Sequence, residues 1–348
     1  GMLKKVTVRS NEDGFADIWN HMFEGMYGIT EVVLPEGMHI IGYDAFSGCR
    51  NLAEINLPNG MLSICSNAFR DCESLNNVVL PDALGHIGNN AFSGCTSLTE
   101  IIVPDSTTFI GTQAFSDCTN LSNAELGRGL ECYGQLMFEN CTSLEKLTIS
   151  CRETAYLIDD TSEEIAVSYD EGWRIADLFG EENGMLKKVT VRSDENGISN
   201  IWHNIFEGMY GLTEVVLPER LYFIGSNAFS GCINLSEINL PDGLEEIYSN
   251  AFRDCESLSS VVLPDTVEFI EDNAFSVCTS LLEIIIPESV CWIRNEAFSD
   301  CTNLEKIVIY AQKTDILDSI INTDATIYCY ENSDAHYYAL ENNLKFVL

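Results

Sequence analysis

Residues 90–104 read NAFSGCTSLTEIIVP, and this stretch returns along the chain with little change. Its cysteine recurs every 23 residues in two series, which are Cys49, Cys72, Cys95, Cys118 and Cys141, then Cys232, Cys255, Cys278 and Cys301. Met26 and Met209 stand one period before each series. A fixed period of this length predicts a solenoid, in which successive coils stack on one another.

The repeat array is itself duplicated. GMLKKVTVRS at 1–10 returns at 184–193, an offset of 183, whereas the later segments align at an offset of 160 because the first copy has one more unit. We predict two tandem modules. Module 1 is 1–183, with six units and a strand–helix closing element at about 163–183; module 2 is 184–348, with five units and a strand–helix cap at about 323–348.

The closing elements are expected to cover the apolar coil ends. Tyr169 and Trp173, which break the repeat pattern, are interpreted as part of the first of these covers. A strand is expected at Leu3–Arg9. Because no closing helix precedes that strand, the pattern also predicts that the chain derives from a longer one.

Each unit contains a short strand that ends near a proline. In the segment LAEINLP the alternation predicts that Leu52, Ile55 and Leu57 face the core while Glu54 and Asn56 face solvent. One unit cannot bury its apolar face alone, so neighbouring units stack about 4.8 Å apart as a parallel sheet. The phenylalanines of the A-F pairs form a second row of core positions, which are Phe46, Phe69, Phe92, Phe115, Phe138, Phe229, Phe252, Phe275 and Phe298.

At this level of detail the chain resembles a known family. The units NLAEINLP, NAFRDCESLNNVVLP and NAFSGCTSLTEIIVP, with the ending IYCYENSDAHYYALENNLKF, resemble the BspA-like leucine-rich repeat family of bacterial surface proteins. The resemblance implies an α/β repeat solenoid: a right-handed leucine-rich-repeat-like stack with a parallel sheet on one face and short turns or helical segments on the other. The usual asparagine or cysteine after the third leucine is absent, so an asparagine ladder at that position is not expected.

The cysteine row has three interpretations. A row about 5 Å apart does not converge on one metal ion, and the sequence has no C-x-x-C pair, so no metal site is predicted. Disulfides between neighbouring coils are compatible with the expected Cα spacing. Met26 and Met209 in the same row favour a buried apolar position, and therefore reduced thiols.

Composition and motifs exclude several classes of function. The formal charge of −36 argues against binding to a nucleic-acid backbone or an anionic membrane, and no apolar run is long enough to span one. The sequence lacks H-E-x-x-H, G-x-S-x-G, P-loop and dinucleotide-binding motifs, and its five histidines are scattered. We predict no catalytic residues, no cofactor and no metal.

The outward strand positions provide the candidate protein-binding face. One row is acidic and the neighbouring row is apolar. The candidate residues are Glu31, Val33, Glu54, Val79, Glu100, Ile102, Glu214, Val216, Glu237, Val262, Glu283 and Ile285. Asn56, Glu125 and Asn239 interrupt the apolar row, which continues to Val308.

This face has three open interpretations: a protein-binding stripe, ordinary β-propensity on a half-covered sheet, or a surface for self-association. The family resemblance implies a non-enzymatic, extracellular or cell-surface protein that binds a host, neighbouring-cell or matrix protein in adhesion. The alternative is a structural spacer within a longer surface protein, without a ligand of its own.

Overall fold

The computed structural model describes residues 4–10, 17–150, 156–158, 174–180, 183–193, 199–317, 320–321 and 324–348. The chain divides into two compact parts, here called unit 1 and unit 2, each of which contains several repeats. Unit 1 consists mainly of the residues up to Ser150, and unit 2 mainly of Leu186–Leu348. The proposed module boundary at 183/184 stays a prediction, and Tyr169 and Trp173 lie outside the described residues.

Each unit is a solenoid with two rows of short parallel strands, here called the first and second ladders. The first ladder of unit 1 contains Lys5–Thr7, Glu31–Val33, Glu54–Asn56, Glu100–Ile102, Asn123–Glu125 and Lys146–Ser150, with an isolated bridge between Glu54 and Asn77. The second ladder of unit 1 is one six-stranded sheet of Ile40–Ile41, Ser63–Ile64, His86–Ile87, Phe109–Ile110, Cys132–Gly134 and Tyr156–Ile158.

Unit 2 repeats this arrangement. Its first ladder contains Lys188–Arg192, Glu214–Val216, Glu237–Ile238, Ser260–Val261, Glu283–Ile286, Lys306–Ile309, Thr326–Cys329 and Phe346–Val347. Its second ladder is a six-stranded sheet of Ser199–Ile201, Leu221–Ile224, Glu246–Ile247, Phe269–Ile270, Trp292–Ile293 and Asp315–Ile316. The parallel-sheet solenoid predicted from the 23-residue period is therefore confirmed.

The chain contains little helix. Within the described residues the one α-helix is Asp334–Glu341, with Ser333 as its N-cap accepting a hydrogen bond from the His336 backbone N–H. Ile175–Leu178 and Asn183–Met185 are 3-10 turns. In the described coils the return path is therefore built from turns, and this helix lies within the segment where the C-terminal cap is predicted.

The return turn explains why the motif reads NAFSGC. Two residues of each turn lie in the left-handed region, and in the quoted stretch they are Asn90, with φ 53°, and Gly94, with φ 74°. Asparagine and glycine tolerate this conformation better than other residues. The turn then directs its N–H groups toward the next coil, where the Phe92 N–H bonds to the Ala114 carbonyl at 2.8 Å.

The phenylalanines form two stacked rows in the core. In unit 1, Phe46, Phe69, Phe92, Phe115 and Phe138 are almost fully buried, with successive ring centroids 5.2–5.8 Å apart. In unit 2 the row begins at Phe206 and has spacings of 4.9–5.6 Å. Their burial and stacking confirm the phenylalanine row as part of the core. Burial of each such ring stabilises the fold by about 2–3 kcal/mol.

The second left-handed position of one turn carries a β-branched residue. Val277 adopts φ 63°. The equivalent position is glycine, aspartate or asparagine in the other turns of this type, such as Gly94 and Asp254. A β-branched side chain is disfavoured in the left-handed region, at a cost on the order of 1–2 kcal/mol.

We expect Val277→Gly to raise the free energy of unfolding of the protein by about 1 kcal/mol, measured by urea denaturation. The matched control is Gly231→Val at the equivalent turn. There φ is 75° and an added Cβ would meet its nearest atom at an ordinary 3.6 Å, so a loss of similar size would report the backbone. No change in either variant would contradict the strain argument.

Candidate functional site

The predicted outer face is assembled by the first ladder. In unit 1 the strand register places Val33 beside Asn56 and Ile102 beside Glu125. In unit 2 it places Ile285 beside Val308 and Val308 beside Tyr328. Equivalent outward residues therefore lie in a row along each unit, as the alternation predicts.

The apolar row is exposed to different degrees. Val79 and Val262 are 73% and 79% exposed, and Ile102 is 52% exposed. Val216 and Ile285 are also exposed, whereas Val33 and Val308 are half-buried. Two branched aliphatic side chains follow one another in unit 1, and in unit 2 the apolar run continues through Tyr328 to Val347.

The acidic row is less uniformly negative than its sequence indicates. Glu54, Glu100, Glu237 and Glu283 are exposed as expected. The strand register places a lysine beside three glutamates of this row. The ion pairs are Lys5 with Glu31, Lys188 with Glu214, and Lys306 with Glu283. These exposed pairs contribute little to stability, but they reduce the negative charge near the apolar row.

A second outward face was not predicted. The second ladder of unit 2 aligns Phe223, Glu246, Phe269, Trp292 and Asp315 in one row. The ring centroids of Phe269 and Trp292 are 4.8 Å apart. The sequence carries a signal for this face, because the dipeptides Y-F, E-E, E-F and C-W each directly precede the inward isoleucine of their coil. The sequence pattern did not identify this step of the repeat as a strand.

Carboxylates surround the rings of this second face. Hydrogen bonding to Glu245 raises the pKa of the Tyr222 hydroxyl, with nearby carboxylates adding to the effect. Hydrogen bonding to Glu246 raises the pKa of Tyr248 to about 12, with burial and further carboxylates contributing. Both shifts reflect a local concentration of negative charge.

The two predicted modules differ in sequence most at this second face. Eight outward first-ladder positions compare as Glu31/Glu214, Val33/Val216, Glu54/Glu237, Asn56/Asn239, Asn77/Ser260, Val79/Val262, Glu100/Glu283 and Ile102/Ile285, with one difference. Eight outer second-ladder positions compare as His39/Tyr222, Ile40/Phe223, Leu62/Glu245, Ser63/Glu246, Gly85/Glu268, His86/Phe269, Thr108/Cys291 and Phe109/Trp292, and all differ. The compared positions therefore agree along the first face and differ along the second.

The cysteine row is a wall of the core. Each of the nine sulfurs donates to the carbonyl of a phenylalanine in the preceding coil, at Sγ–O distances of 3.1–3.3 Å. Burial raises the pKa of these thiols, to about 11 for Cys49 and about 12 for Cys141. The thiols of the row are therefore protonated. Cys151, which is not part of the row, lies outside the described residues.

Asparagine side chains form hydrogen bonds between coils, but at a different position of the repeat from the one after the third leucine. Gly60, Ala83, Ser106 and Gly129 occupy the strand-end position, where asparagine or cysteine is usual. Two residues after the repeat cysteine, Asn51, Asn120, Asn234 and Asn303 donate their amides to a carbonyl of the preceding coil at 2.6–2.7 Å. Asparagine thus links coils through a site that the general pattern does not indicate.

Comparison with known proteins identifies the family. The chain matches the BspA type leucine rich repeat region, in six copies, over residues 16–145 and 199–327. The chain belongs to this family. In the part of this BspA-type chain that the structure describes, no three side chains of His, Cys, Asp or Glu are grouped to hold a metal, and no helix is long and apolar enough to cross a membrane.

Solved structures of leucine-rich repeat proteins are similar to this BspA-type chain. One from T. pallidum is 36% identical over 42% of this chain and 70% of its own, with a TM-score of 0.41. One from Bacteroides ovatus is 25% identical over 99% and 91%, with a TM-score of 0.41. A leucine-rich cell surface protein from Faecalibacterium prausnitzii is 20% identical over 97% and 90%, with a TM-score of 0.33. No curated protein matches the chain.

We expect a thiol reagent such as DTNB at pH 8 to label Cys291 before any cysteine of the row in the native BspA-type protein, because Cys291 is exposed while the cysteine row is buried. The row should react only after denaturation. Mass spectrometry of labelled peptides would locate the modified residues. Rapid native labelling of Cys95 or Cys255 would contradict the buried row.

The raised thiol pKa values predict loss of stability in alkali. Below about pH 9 the thiols are protonated in both the folded and the unfolded chain, so they do not affect the balance. Above it the unfolded chain ionises its thiols while Cys141, with a pKa of about 12, stays protonated in the fold. The free energy of unfolding should therefore fall as pH rises from 9 towards 11.

Cys141→Ala should remove up to about 1.4 kcal/mol per pH unit from that slope, measured by urea denaturation at several pH values. Cys291→Ala at an exposed position is the control and should leave the slope unchanged. Equal slopes in all three proteins would show that the buried thiol is not responsible.

Proposed function

We propose that this protein is a non-enzymatic binding scaffold that uses the first-ladder face of each unit to bind a protein ligand, in adhesion to host or neighbouring cells. The exposed apolar row carries the proposal. Val79 with Ile102, and Val262 with Ile285, place branched aliphatic side chains in neighbouring coils at the surface. Contiguous exposed apolar residues with a polar margin are typical of protein-binding surfaces.

Retention of this face supports a role beyond β-propensity. The two modules differ at every compared position of the second ladder, so they have had the opportunity to diverge. They nevertheless keep the same valine, isoleucine and glutamate residues at the first ladder, where solvent exposure places little packing demand on Val79 or Val262. A shared ligand chemistry would account for this difference between the two faces.

The setting that we propose is the bacterial surface, in keeping with the family. The protein would act outside the cell, as an adhesion module or as one part of a longer surface protein. Family membership likewise favours a scaffold over an enzyme, and a screen of the purified chain for hydrolase activity would test that part of the proposal directly.

The decisive experiment compares two double variants of unit 1. Val79→Asp with Ile102→Asp disrupts the first ladder, and Ile40→Asp with Leu62→Asp introduces the same charge at exposed aliphatic residues of the second ladder. Each protein is titrated by biolayer interferometry against immobilised epithelial and matrix extracts, and captured proteins are purified for a second titration.

We expect the first-ladder variant to lose at least tenfold in affinity for the purified partner while the control stays within twofold, with unfolding midpoints unchanged in both. Sedimentation velocity separates the alternative of self-association, because a smaller oligomer in the first-ladder variant alone would favour contact between copies. Equal affinities of all three proteins, or no saturable binding at all, would favour a spacer and contradict the proposal.

A further inference from the structure

The second-ladder face of unit 2 combines two kinds of side chain that seldom lie together on a solvated sheet. Tyr222 and Trp292 are exposed aromatic residues, and Phe223 and Phe269 are half-buried in the same rows. Glu245, Glu246 and Glu268 lie in the coils between them, with Glu268 exposed and the other two half-buried. We call these seven residues the aromatic–acidic face.

The rings are held in place before any ligand arrives. Phe223 contacts Trp202 and Tyr248 edge-on, at centroid distances of 5.0 and 5.5 Å. Phe269 stacks against Trp292, whose indole Nε1–H donates to Asp315 at 3.2 Å. Aromatic anchors that are already ordered lose little conformational entropy when a partner binds.

The charge of the face is concentrated in two neighbouring coils. The strand register brings Glu246 next to both Phe223 and Phe269, while Glu245 and Glu268 precede the paired positions. Glu271 lies in the same region, where its carboxylate accepts hydrogen bonds from the Ser249 hydroxyl and N–H. Like charges on neighbouring coils repel one another, and a bound cation would relieve that repulsion.

The face ends in a cleft of about 650 Å³ beside the C-terminal helix. Trp292 and Tyr337 line it together with Asp315, Glu341 and Lys313. The strands Leu221–Ile224, Glu246–Ile247 and Phe269–Ile270 contain no basic residue. The basic residues next to the strands of this face are Arg220, Arg294 and Lys313.

We propose that the aromatic–acidic face binds a basic peptide segment, with the aliphatic stems of lysine or arginine side chains packed against the rings and their cationic ends paired with the glutamates. Exposed aromatic rings pack against the long apolar stems of lysine and arginine, and nearby carboxylates add charge complementarity and partner selection. The same positions of unit 1 carry Ile40, Ser63 and His86 without a carboxylate, so this second activity belongs to unit 2. It is separate from the partner of the first ladder.

The test uses the whole chain and a fluorescein-labelled peptide of alternating lysine and glycine, followed by fluorescence anisotropy. The first variant is Glu245→Gln with Glu246→Gln and Glu268→Gln. Its charge-matched control is Glu36→Gln with Glu145→Gln and Glu256→Gln, three exposed glutamates outside the strands of both ladders. We expect at least tenfold weaker peptide binding for the first and less than a twofold change for the control.

A second comparison leaves the net charge unchanged. Trp292→Leu should weaken peptide binding about two- to fivefold, which corresponds to a contribution of about 0.5–1 kcal/mol from the indole ring. Trp19→Leu removes another exposed tryptophan, in unit 1, and should leave binding unchanged. Thermal unfolding of each variant by circular dichroism shows that the fold is intact.

Three results would overturn the proposal. Equal weakening by the two triple glutamine variants would mean general attraction to an acidic protein, and equal affinities of the Trp292→Leu and Trp19→Leu proteins would remove the rings from the site. Trp292-dependent binding of neutral chito- or cello-oligosaccharides, without peptide binding, would assign the cleft to carbohydrate. The Val79→Asp and Ile102→Asp variant should keep its peptide affinity, so failure of the first-ladder proposal remains distinguishable.

Discussion

The backbone hydrogen bond from one coil to the next is the constraint on which the rest of the structure depends. At the return turn the Phe69 N–H bonds to the Ala91 carbonyl at 2.8 Å, and the same bond joins Phe92 to Ala114. Once these bonds set the separation of the coils, every equivalent side chain must fit beside a copy of itself. Flat rings, small thiols and branched aliphatic chains satisfy this condition, and they are the residues that repeat.

The sequence was sufficient for much of this architecture because periodicity reports neighbours directly. The alternation in LAEINLP indicated that Ile55 is buried and Glu54 exposed, and the spacing of the phenylalanines indicated their stacked row. The second ladder was missed because its strands are two to four residues long and many repeat units retain one fixed inward residue, such as Ile64 or Ile87. So short a strand gives no alternation to recognise.

The candidate surfaces were predictable to unequal degrees for a related reason. The outward residues of the first ladder follow from the alternation, and the strand register aligns them in rows. Their ion pairs were not foreseen, because the contact of Lys5 with Glu31 depends on the register between coils 26 residues apart. The aromatic–acidic face was invisible until Tyr222, Glu246 and Trp292, distant in sequence, were placed on one sheet.

The locality of the contacts has a consequence for how such proteins change over generations. Because a coil bonds chiefly to its two neighbours, an in-frame gain or loss of one repeat adds or removes a slice while the remaining slices keep their packing. The two predicted modules differ in length by one such slice, since their early segments align at 183 residues and their later segments at 160. Recombination between near-identical repeats can therefore adjust the extent of the exposed faces without having to re-evolve a core.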